Sequence, residues 1–367
     1  MEGRSGRFVT ADALVAGPRG RRLLLEFAVA SEADVLGGSG ELPLREAVRD
    51  AAFRLAKDHG HAVTRFRWGE LRARPELTVV DVVSRLGDVP LAWVSPALLV
   101  ASLTDSVDSA MYWQGPDGDD LLCAIPEVRD ALMRVADHLV GSPEVQGWAA
   151  RYDPADQWQV LWDGDDPALR PDLAEWSAQV VQREQAARRD RPADPRANWT
   201  DHWWSRPPLG LATSTGSFGD AGPYGLWLVE DGFGWETATV QCLEVDSAAK
   251  VLEIDGAQAW AALCAQFPLE VTASKRHDWY RTTGLSGRWV IPDWSRVAEH
   301  YDGIHLTIAG YLEAATTGVD VGEAASVIAG WGPDATWWLT NAARPVGNAV
   351  RWHTTSDGSP TPWTPTL

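Results

Sequence analysis

The chain has 367 residues, of which 45% are hydrophobic and 23% charged, a balance typical of a packed globular protein rather than a disordered one. The formal net charge of -19 argues against a nucleic-acid-binding protein, because such proteins neutralise phosphates with clustered positive charge. The 3 cysteines are widely spaced and form no C-x-x-C pair, so neither a disulfide framework nor a thiolate zinc site is indicated.

The N-terminal part of the chain carries helical signals. The first apolar run, LLLEFAVA at 23–30, is too short for a membrane segment and predicts a strand or a buried helix. Apolar residues recur at helical spacing over 42–60 and 125–143, and a third helix is predicted over 172–189. The N-terminal sequence MEGRSGRFVT lacks the form of a signal peptide, so we expect a cytoplasmic protein without membrane contact.

A polar connection, QREQAARRDRPADPRAN at 182–198, separates two regions of different composition. Its second half is charged, contains prolines and has no apolar periodicity. Of the 21 tryptophans, only Trp68, Trp93 and Trp113 precede position 148. We therefore predict a mainly helical N-terminal region over 1–190 and a tryptophan-rich α+β domain over 191–367.

Short strands predominate in the second region. YGLWLVEDGFGWETATVQCLEV at 224–245 has two apolar stretches around Asp231-Gly232, which predicts a hairpin. A strand at 250–256, a helix after it and a strand–helix–strand unit at 289–312 follow, and ASVIAGW and ATWWL predict two further strands. The expected fold class is α+β, with a mixed or antiparallel sheet and flanking helices after the helical N-terminal region.

Several familiar site patterns are missing from the sequence. His300 and His305 are separated by a Tyr-Asp-Gly turn, so the spacing that places two ligands on one helix face is lacking and no metal site is expected. The chain also has no P-loop and no G-x-S-x-G elbow. His305 lies in an apolar strand, a position that suits either a buried hydrogen-bonded histidine or a ligand-binding residue.

Cationic and aromatic side chains alternate in RHDWYRTTG at 276–284. An arginine fork suits a phosphate or carboxylate, and a neighbouring aromatic ring suits a planar or sugar ring. If the segment is extended, one arginine and one aromatic share a face, and we predict that it forms the rim of a C-terminal cleft. A structural role, with the arginines paired to nearby carboxylates and the aromatics packed on the sheet, explains the same residues equally well. The candidates are Arg276, His277, Trp279, Tyr280 and Arg281.

A loop rich in Gly, Ser and Thr, LATSTGSFGDAGPYG at 211–225, follows Arg206 and the pair Trp203-Trp204. Such a loop can present hydroxyl and N–H groups to an anion or a sugar, or it is a simple surface turn. The pairs Trp203-Trp204 and Trp337-Trp338 are predicted to place one indole on each face of a strand, with one of each pair outside the core. Exposed indoles suit sugar or base stacking, or a protein interface.

Motifs along the chain resemble a family of uncharacterised, tryptophan-rich proteins from GC-rich actinobacteria. They include LVEDGFGW, EVTASKRHDWYRTTG, AGWGPDATWWL and, in the first half, SVDSAMYWQGPDGDDLL. The resemblance covers most of the chain and implies no particular activity.

The layout of the C-terminal half is also loosely similar to ADP-ribosyltransferase-like domains. Those domains use an arginine or histidine on an early strand, a Ser/Thr or Tyr element, and a late glutamate that orients the ribose of NAD. Arg206, Ser214 and Glu313 occur here in that order, although T-S-T replaces S-T-S and E-x-E is missing. The likeness implies NAD as a candidate substrate.

Two functions of different classes remain. The first is an enzyme or binder of an anionic, sugar- or nucleotide-like small molecule, held in one Trp/Arg-lined cleft that gathers Arg206, Arg276, Arg281 and His305. The alternative is a non-catalytic protein–protein interaction or immunity-type protein that uses a flat patch of exposed tryptophans. The residue pattern leaves open whether a reaction is catalysed.

Overall fold

The computed structural model describes residues 8–37, 42–61, 76–163, 170–232, 234–355 and 362–366. Helices dominate the first half and short strands the second, so the protein is α+β, as predicted. Most of the N-terminal stretch behind the cytoplasmic prediction lies outside these ranges. Within them, no helix combines the length and the apolar character needed to cross a membrane.

In the described part of the first half, the helices are interrupted by one strand. Many of them begin with proline, which fits the first helical turn because its missing N–H would have no intrahelical partner there. The three helices predicted at 42–60, 125–143 and 172–189 are confirmed. The elements are α1 (Ala11–Ala16), α2 (Pro18–Val35), α3 (Pro43–Asp58), α4 (Val79–Asp88), α5 (Pro96–Asp108), α6 (Gly118–Cys123), α7 (Pro126–Val140), α8 (Pro143–Gly147), β1 (Trp158–Trp162) and α9 (Leu173–Asp190).

Helix α2 is the centre of the helical region. The apolar run at 23–30 lies inside it and is buried on several faces, which explains why it shows no clear alternation. Its two buried arginines are balanced by acids, since Arg19 pairs with Asp120 and Arg22 pairs with Glu26 and Asp117. Pairing of this kind offsets the cost of removing a charge from water.

The second half combines short strands with four helices among its described residues. The predicted strand at 250–256, the helix after it and the strand, helix and strand that begin at 289 are confirmed. The helix Ile308–Ala314 follows the last of these strands and was not predicted, and the predicted strand at 325–331 is limited to its start. The elements are β2 (Thr213–Ser214), β3 (Thr237–Val245), β4 (Val251–Ile254), α10 (Ala257–Gln266), β5 (Pro268–Glu270), α11 (Thr272–Thr283), β6 (Val290–Pro292), α12 (Trp294–Val297), β7 (Gly303–Leu306), α13 (Ile308–Ala314), β8 (Val319–Val321), β9 (Ala324–Ser326), β10 (Thr336–Trp338), β11 (Ala343–His353) and β12 (Thr364–Pro365).

Two four-stranded sheets organise these strands. The first has the antiparallel order β1-β3-β11-β12, so a strand from the first half joins the second half's sheet. The second has the order β2-β10-β7-β4, in which β4 and β7 are parallel and the other pairs antiparallel. Two-stranded ribbons, β5-β6 and β8-β9, lie beside them.

The hairpin predicted around Asp231-Gly232 is wrong. Residues 224–226 form a short 3-10 turn, and β3 pairs with β1 and β11 rather than with a strand just before the Asp-Gly turn. Asp231 has a φ of 48°, so a turn is present. It is tied to α5, because the N–H groups of Asp231 and Gly232 donate to the main-chain and side-chain oxygens of Asp108.

The segment RHDWYRTTG is helical, so the extended form that would place one arginine and one aromatic on the same face is not adopted. It forms most of α11, which ends at Gly284 with a left-handed φ of 72°. The carboxylate of Glu184 on α9 accepts hydrogen bonds from the N–H groups of Ala273 and Ser274, each at 2.9 Å. This contact satisfies two of the free N–H groups of the first turn, and the glycine provides the C-terminal cap.

The main apolar core includes residues from both sides of the predicted domain boundary near Arg191. The division into two domains stays a prediction. This core contains Leu23 of α2 together with Leu306 and Tyr311 of the second half. Helix α2 begins against α13 so closely that a Cβ at Gly17 would lie 2.1 Å from the carbonyl oxygen of Leu312.

Candidate functional site

A cavity of about 510 Å³ lies in the second half, and we call it the tryptophan cavity. Its walls come from β1, β2, β10, the segments 203–209, 225–231 and 330–335, and Trp235. The indoles that line it are Trp158, Trp162, Trp203, Trp204, Trp235 and Trp337. Large apolar pockets with a few polar groups are the usual form of small-molecule sites.

The indoles are held by one another and by fixed acceptors. Trp162 and Trp235 are stacked, with ring centroids 4.9 Å apart and planes at 19°. Trp203 and Trp204 meet edge to face at 5.5 Å. The indole N–H of Trp158 donates to Asp156 at 2.6 Å. Such contacts fix the rings as preformed walls that a ligand need not order.

Arg206 lies between two of these walls. Its guanidinium carbon is 5.3 Å from the ring centroid of Trp204 and 5.2 Å from that of Trp337, and its side chain donates to the carbonyl oxygen of Pro207 at 2.8 Å. The residue is only 9% exposed, yet no carboxylate among the described residues lies within 4.0 Å of it. Burial lowers the pKa of Arg206 to about 10, against the opposing charge of Glu230, so the cation persists at neutral pH.

Gly330 allows the backbone to approach Arg206 closely. Its φ is 74°, and a Cβ there would lie 2.7 Å from the Cβ of Trp204 and 3.6 Å from the Nε of Arg206. Ser205 fastens the two segments together, since its N–H donates to the carbonyl of Ala329 and its hydroxyl accepts from the N–H of Ala329. The orientation of Arg206 is therefore set by backbone contacts on both sides.

An acidic wall faces the tryptophans. Glu230 accepts hydrogen bonds from the hydroxyl of Tyr112 at 2.7 Å and from the N–H of Trp331 at 3.0 Å. Burial raises the pKa of Glu230 to about 7 despite these donors. Asp231 accepts from the indole of Trp113 at 2.8 Å. Two aromatic side chains of the helical half thus hold the two carboxylates of the cavity.

Of the residues predicted from sequence, Arg206 and Ser214 meet in the cavity. The hydroxyl of Ser214 is already engaged, since it donates to Gln157 at 2.5 Å and accepts from the indole of Trp338 at 2.9 Å. Glu313 lies on α13, where it lines a separate recess of about 20 Å³ with Phe8. The three residues behind the ADP-ribosyltransferase likeness are therefore not brought together.

His305 lies inside the protein rather than among the cavity's lining residues. Its Nδ1 is 2.6 Å from Oε2 of Glu253, the residue beside it on β4, and its Nε2 is 3.6 Å from Oδ1 of Asp334. Burial alone would lower the pKa of His305, but the two carboxylates outweigh it and raise the pKa to about 9. The imidazolium on β7 therefore pairs with carboxylates on β4 and on the loop before β10 and stabilises their arrangement.

The candidate residues of α11 do not line the tryptophan cavity. Their side chains instead contact the segment 191–204. Arg276 donates to the carbonyl of Ala193, and Arg281 donates to the carbonyl of Trp199 and pairs with Asp278.

The aromatic candidates of α11 share that role. Tyr280 accepts from Arg196, and His277 is 1% exposed. Trp279 is fully buried, and its indole donates to the carbonyl of Trp203 at 2.8 Å. Helix α11 therefore affects the tryptophan cavity through the backbone of Trp203.

The prediction that each tryptophan pair leaves one indole outside the core is wrong for Trp337 and Trp338. They are 7% and 0% exposed, because the sheet is covered on both faces. Sequence reasoning also missed Glu230 and Asp231. The only signal near them was the Asp-Gly turn, which indicates a local bend and carries no information about a cavity wall.

The described residues contain no cluster of three or more His, Cys, Asp or Glu side chains arranged to hold a metal ion. Comparison with protein-family models, with curated proteins and with solved structures found no match for this chain.

Proposed function

We propose that the protein binds an anionic small molecule that carries a sugar- or nucleotide-like ring in the tryptophan cavity. Arg206 would hold the anionic group, and the indoles would stack on the ring. The carboxylates of Glu230 and Asp231 would accept hydrogen bonds from the ring's hydroxyl or amino groups. Stacking walls with a few fixed polar groups suit such a ligand.

The observation that carries the proposal is the buried cation of Arg206, which has no carboxylate within 4.0 Å among the described residues. A buried charge without an opposite charge is costly, and a ligand anion would remove that cost. The two flanking indoles stabilise the guanidinium but supply no negative charge for an ion pair. The arginine therefore has the character of a preformed anion receptor.

The interaction-protein alternative has less support. Among the described tryptophans, the exposed ones are Trp93, Trp113 and Trp199, at 87%, 44% and 41%. Trp113 is hydrogen-bonded to Asp231, and Arg191 lies over the ring of Trp199. Most of the remaining described tryptophans are buried or line the tryptophan cavity, which favours a small-molecule function.

The test is a calorimetric and thermal-shift screen of wild type against Arg206→Gln. The panel contains sugar phosphates, uronic acids, nucleotides including NAD, and matched neutral sugars. Loss of a charge-assisted contact of about 1.5–3 kcal/mol should weaken binding of the anionic ligand by about 10- to 150-fold and leave its neutral analogue little changed.

Arg281→Gln is the matched control, because Arg281 makes backbone and carboxylate contacts away from the cavity lining. It should bind the anionic ligand as wild type does. Without ligand, Arg206→Gln should melt close to wild type, because the loss of the indole and backbone contacts is offset by removal of a buried charge that has no carboxylate partner among the described residues. Equal binding of the anionic ligand by wild type and Arg206→Gln would overturn the proposal.

A further inference from the structure

A second, smaller cavity of about 180 Å³ adjoins the tryptophan cavity. Trp204 and Leu209 line both, so they form the partition between them. Its other walls are a face of α9, the beginning of α11 and the segment 201–208. We call it the lysine cavity, after Lys275.

Lys275 is 5% exposed and is not paired with a carboxylate of any described residue. Its Nζ donates to the carbonyl oxygens of His202 at 2.5 Å and Trp204 at 2.8 Å, and it lies 5.5 Å from the ring centroid of Trp279. An ammonium group has three N–H donors. The third N–H has no acceptor within the part of the chain that the structure describes.

A second cation lines the same cavity. Arg183 on α9 is half-buried, and the described residues place no carboxylate within ion-pair distance of it. His202 also lines the cavity, and although its side chain is 48% exposed, partial removal from water lowers the pKa of its imidazole. Asp201 is the one acid among the described lining residues, and Arg191 already pairs with it.

The N–H groups at the beginning of α11 are not available to a ligand. Those of Ala273 and Ser274 donate to the carboxylate of Glu184, each at 2.9 Å. An anion in this cavity would therefore be held by the side chains of Lys275 and Arg183. Both lack a carboxylate partner among the described residues, and both are positive when Lys275 is protonated, which is an arrangement that an oxyanion would complete.

We propose that the lysine cavity binds a tetrahedral oxyanion, the chemistry shared by inorganic phosphate, sulfate and phosphoryl groups. The third N–H of Lys275 and the guanidinium of Arg183 donate to its oxygens. The site stands on its own contacts and does not depend on what the tryptophan cavity binds.

Protonation of the lysine follows from this arrangement. Burial, together with the charges of Arg183 and Arg206, lowers the pKa of Lys275 to about 7. The negative charges of Asp278 and Asp201 act in the opposite direction and raise this pKa. An anion beside the amine favours the ammonium form, so binding takes up a proton when the free lysine is neutral. Affinity is then greatest below pH 7 and weakens by at most about tenfold for each pH unit above it.

Sulfate is the probe, because it keeps its charge between pH 6 and 9, and calorimetry measures its affinity for the full-length protein. We expect one saturable site, and Arg183→Gln should weaken its binding by at least tenfold at pH 6. Lys275→Met should abolish binding, and Lys250→Met, at an exposed lysine, is the matched control and should not change it. If Lys275→Met does not fold, Arg183→Gln and the pH dependence decide the question.

Arg206→Gln distinguishes this site from the tryptophan cavity. This variant should bind the ring-bearing anion more weakly and bind sulfate as wild type does. Arg183→Gln should bind sulfate more weakly. Inorganic phosphate at pH 6 should compete with sulfate, which identifies a shared oxyanion site. Equal sulfate affinity in wild type and Arg183→Gln, or affinity that does not fall between pH 6 and 9, would overturn the proposal.

Discussion

His305 provides a quantitative link between the buried charges and stability. It is 2% exposed, with Glu253 at 2.6 Å and Asp334 at 3.6 Å. The perturbation is His305→Gln, which keeps a hydrogen-bond donor of similar length but removes the positive charge. The two carboxylates are then left without a cation between them.

The magnitude follows from the pKa of His305, which rises from 6.5 to about 9 on folding. At about 1.36 kcal/mol per pH unit, the ion pairs contribute about 3 kcal/mol to the free energy of unfolding. Because the folded-state pKa is raised, this contribution is fully present below pH 6.5 and is lost as the pH rises through about 9.

The assay is urea unfolding of wild type and His305→Gln at pH 6 and at pH 9.5. The variant should be less stable by about 3 kcal/mol at pH 6, and the difference should shrink towards zero at pH 9.5. Lys275 and Glu230 also titrate in this interval, since their pKa values are both about 7. They are present in both proteins, so their effects cancel in the difference. A difference in unfolding free energy that is the same at both pH values would refute the reasoning.

Two further substitutions test the walls of the tryptophan cavity. Gly330→Ala should lower the free energy of unfolding by more than Gly347→Ala, as measured by urea titration. Both glycines have a left-handed φ, but only at Gly330 would the added Cβ lie 2.7 Å from the Cβ of Trp204. Tyr112→Phe should lower the free energy of unfolding by about 1 kcal/mol and raise the pKa of Glu230 further, because the lost hydroxyl donates to that carboxylate. Carbon-detected NMR titration measures this pKa, and an unchanged value would contradict the assigned hydrogen bond.

The predictable part of this fold is the part determined by local pattern. The helix at 43–58 shows apolar residues at 3.6 spacing, and its burial pattern repeats that spacing. The strand Gly303–Leu306 follows an Asp-Gly turn that the sequence shows directly. In both cases the signal lies within a few residues of the element that it specifies.

Residues that depend on distant partners could not be predicted in this way. The helical form of 276–283 is stabilised by Glu184, about ninety positions earlier in the chain. Glu230 lines the tryptophan cavity, and its carboxylate is held there by a hydrogen bond from Tyr112 of the helical half. Arg206 was selected because it precedes a polar loop, but its two flanking indoles include Trp337, which is remote in sequence. Local sequence thus indicated Arg206 as a candidate without indicating the walls around it.

The close approach of α2 to α13 has a consequence for cleavage of the chain. A protease that cuts within 191–200 would leave two fragments still joined through the continuous core and through β1, which pairs with β3 across the cut. Gly17 meets the backbone of Leu312 with no space for even a methyl group. The fragments should therefore co-elute as a complementing pair, and either one produced alone should expose the apolar surface that the other normally covers.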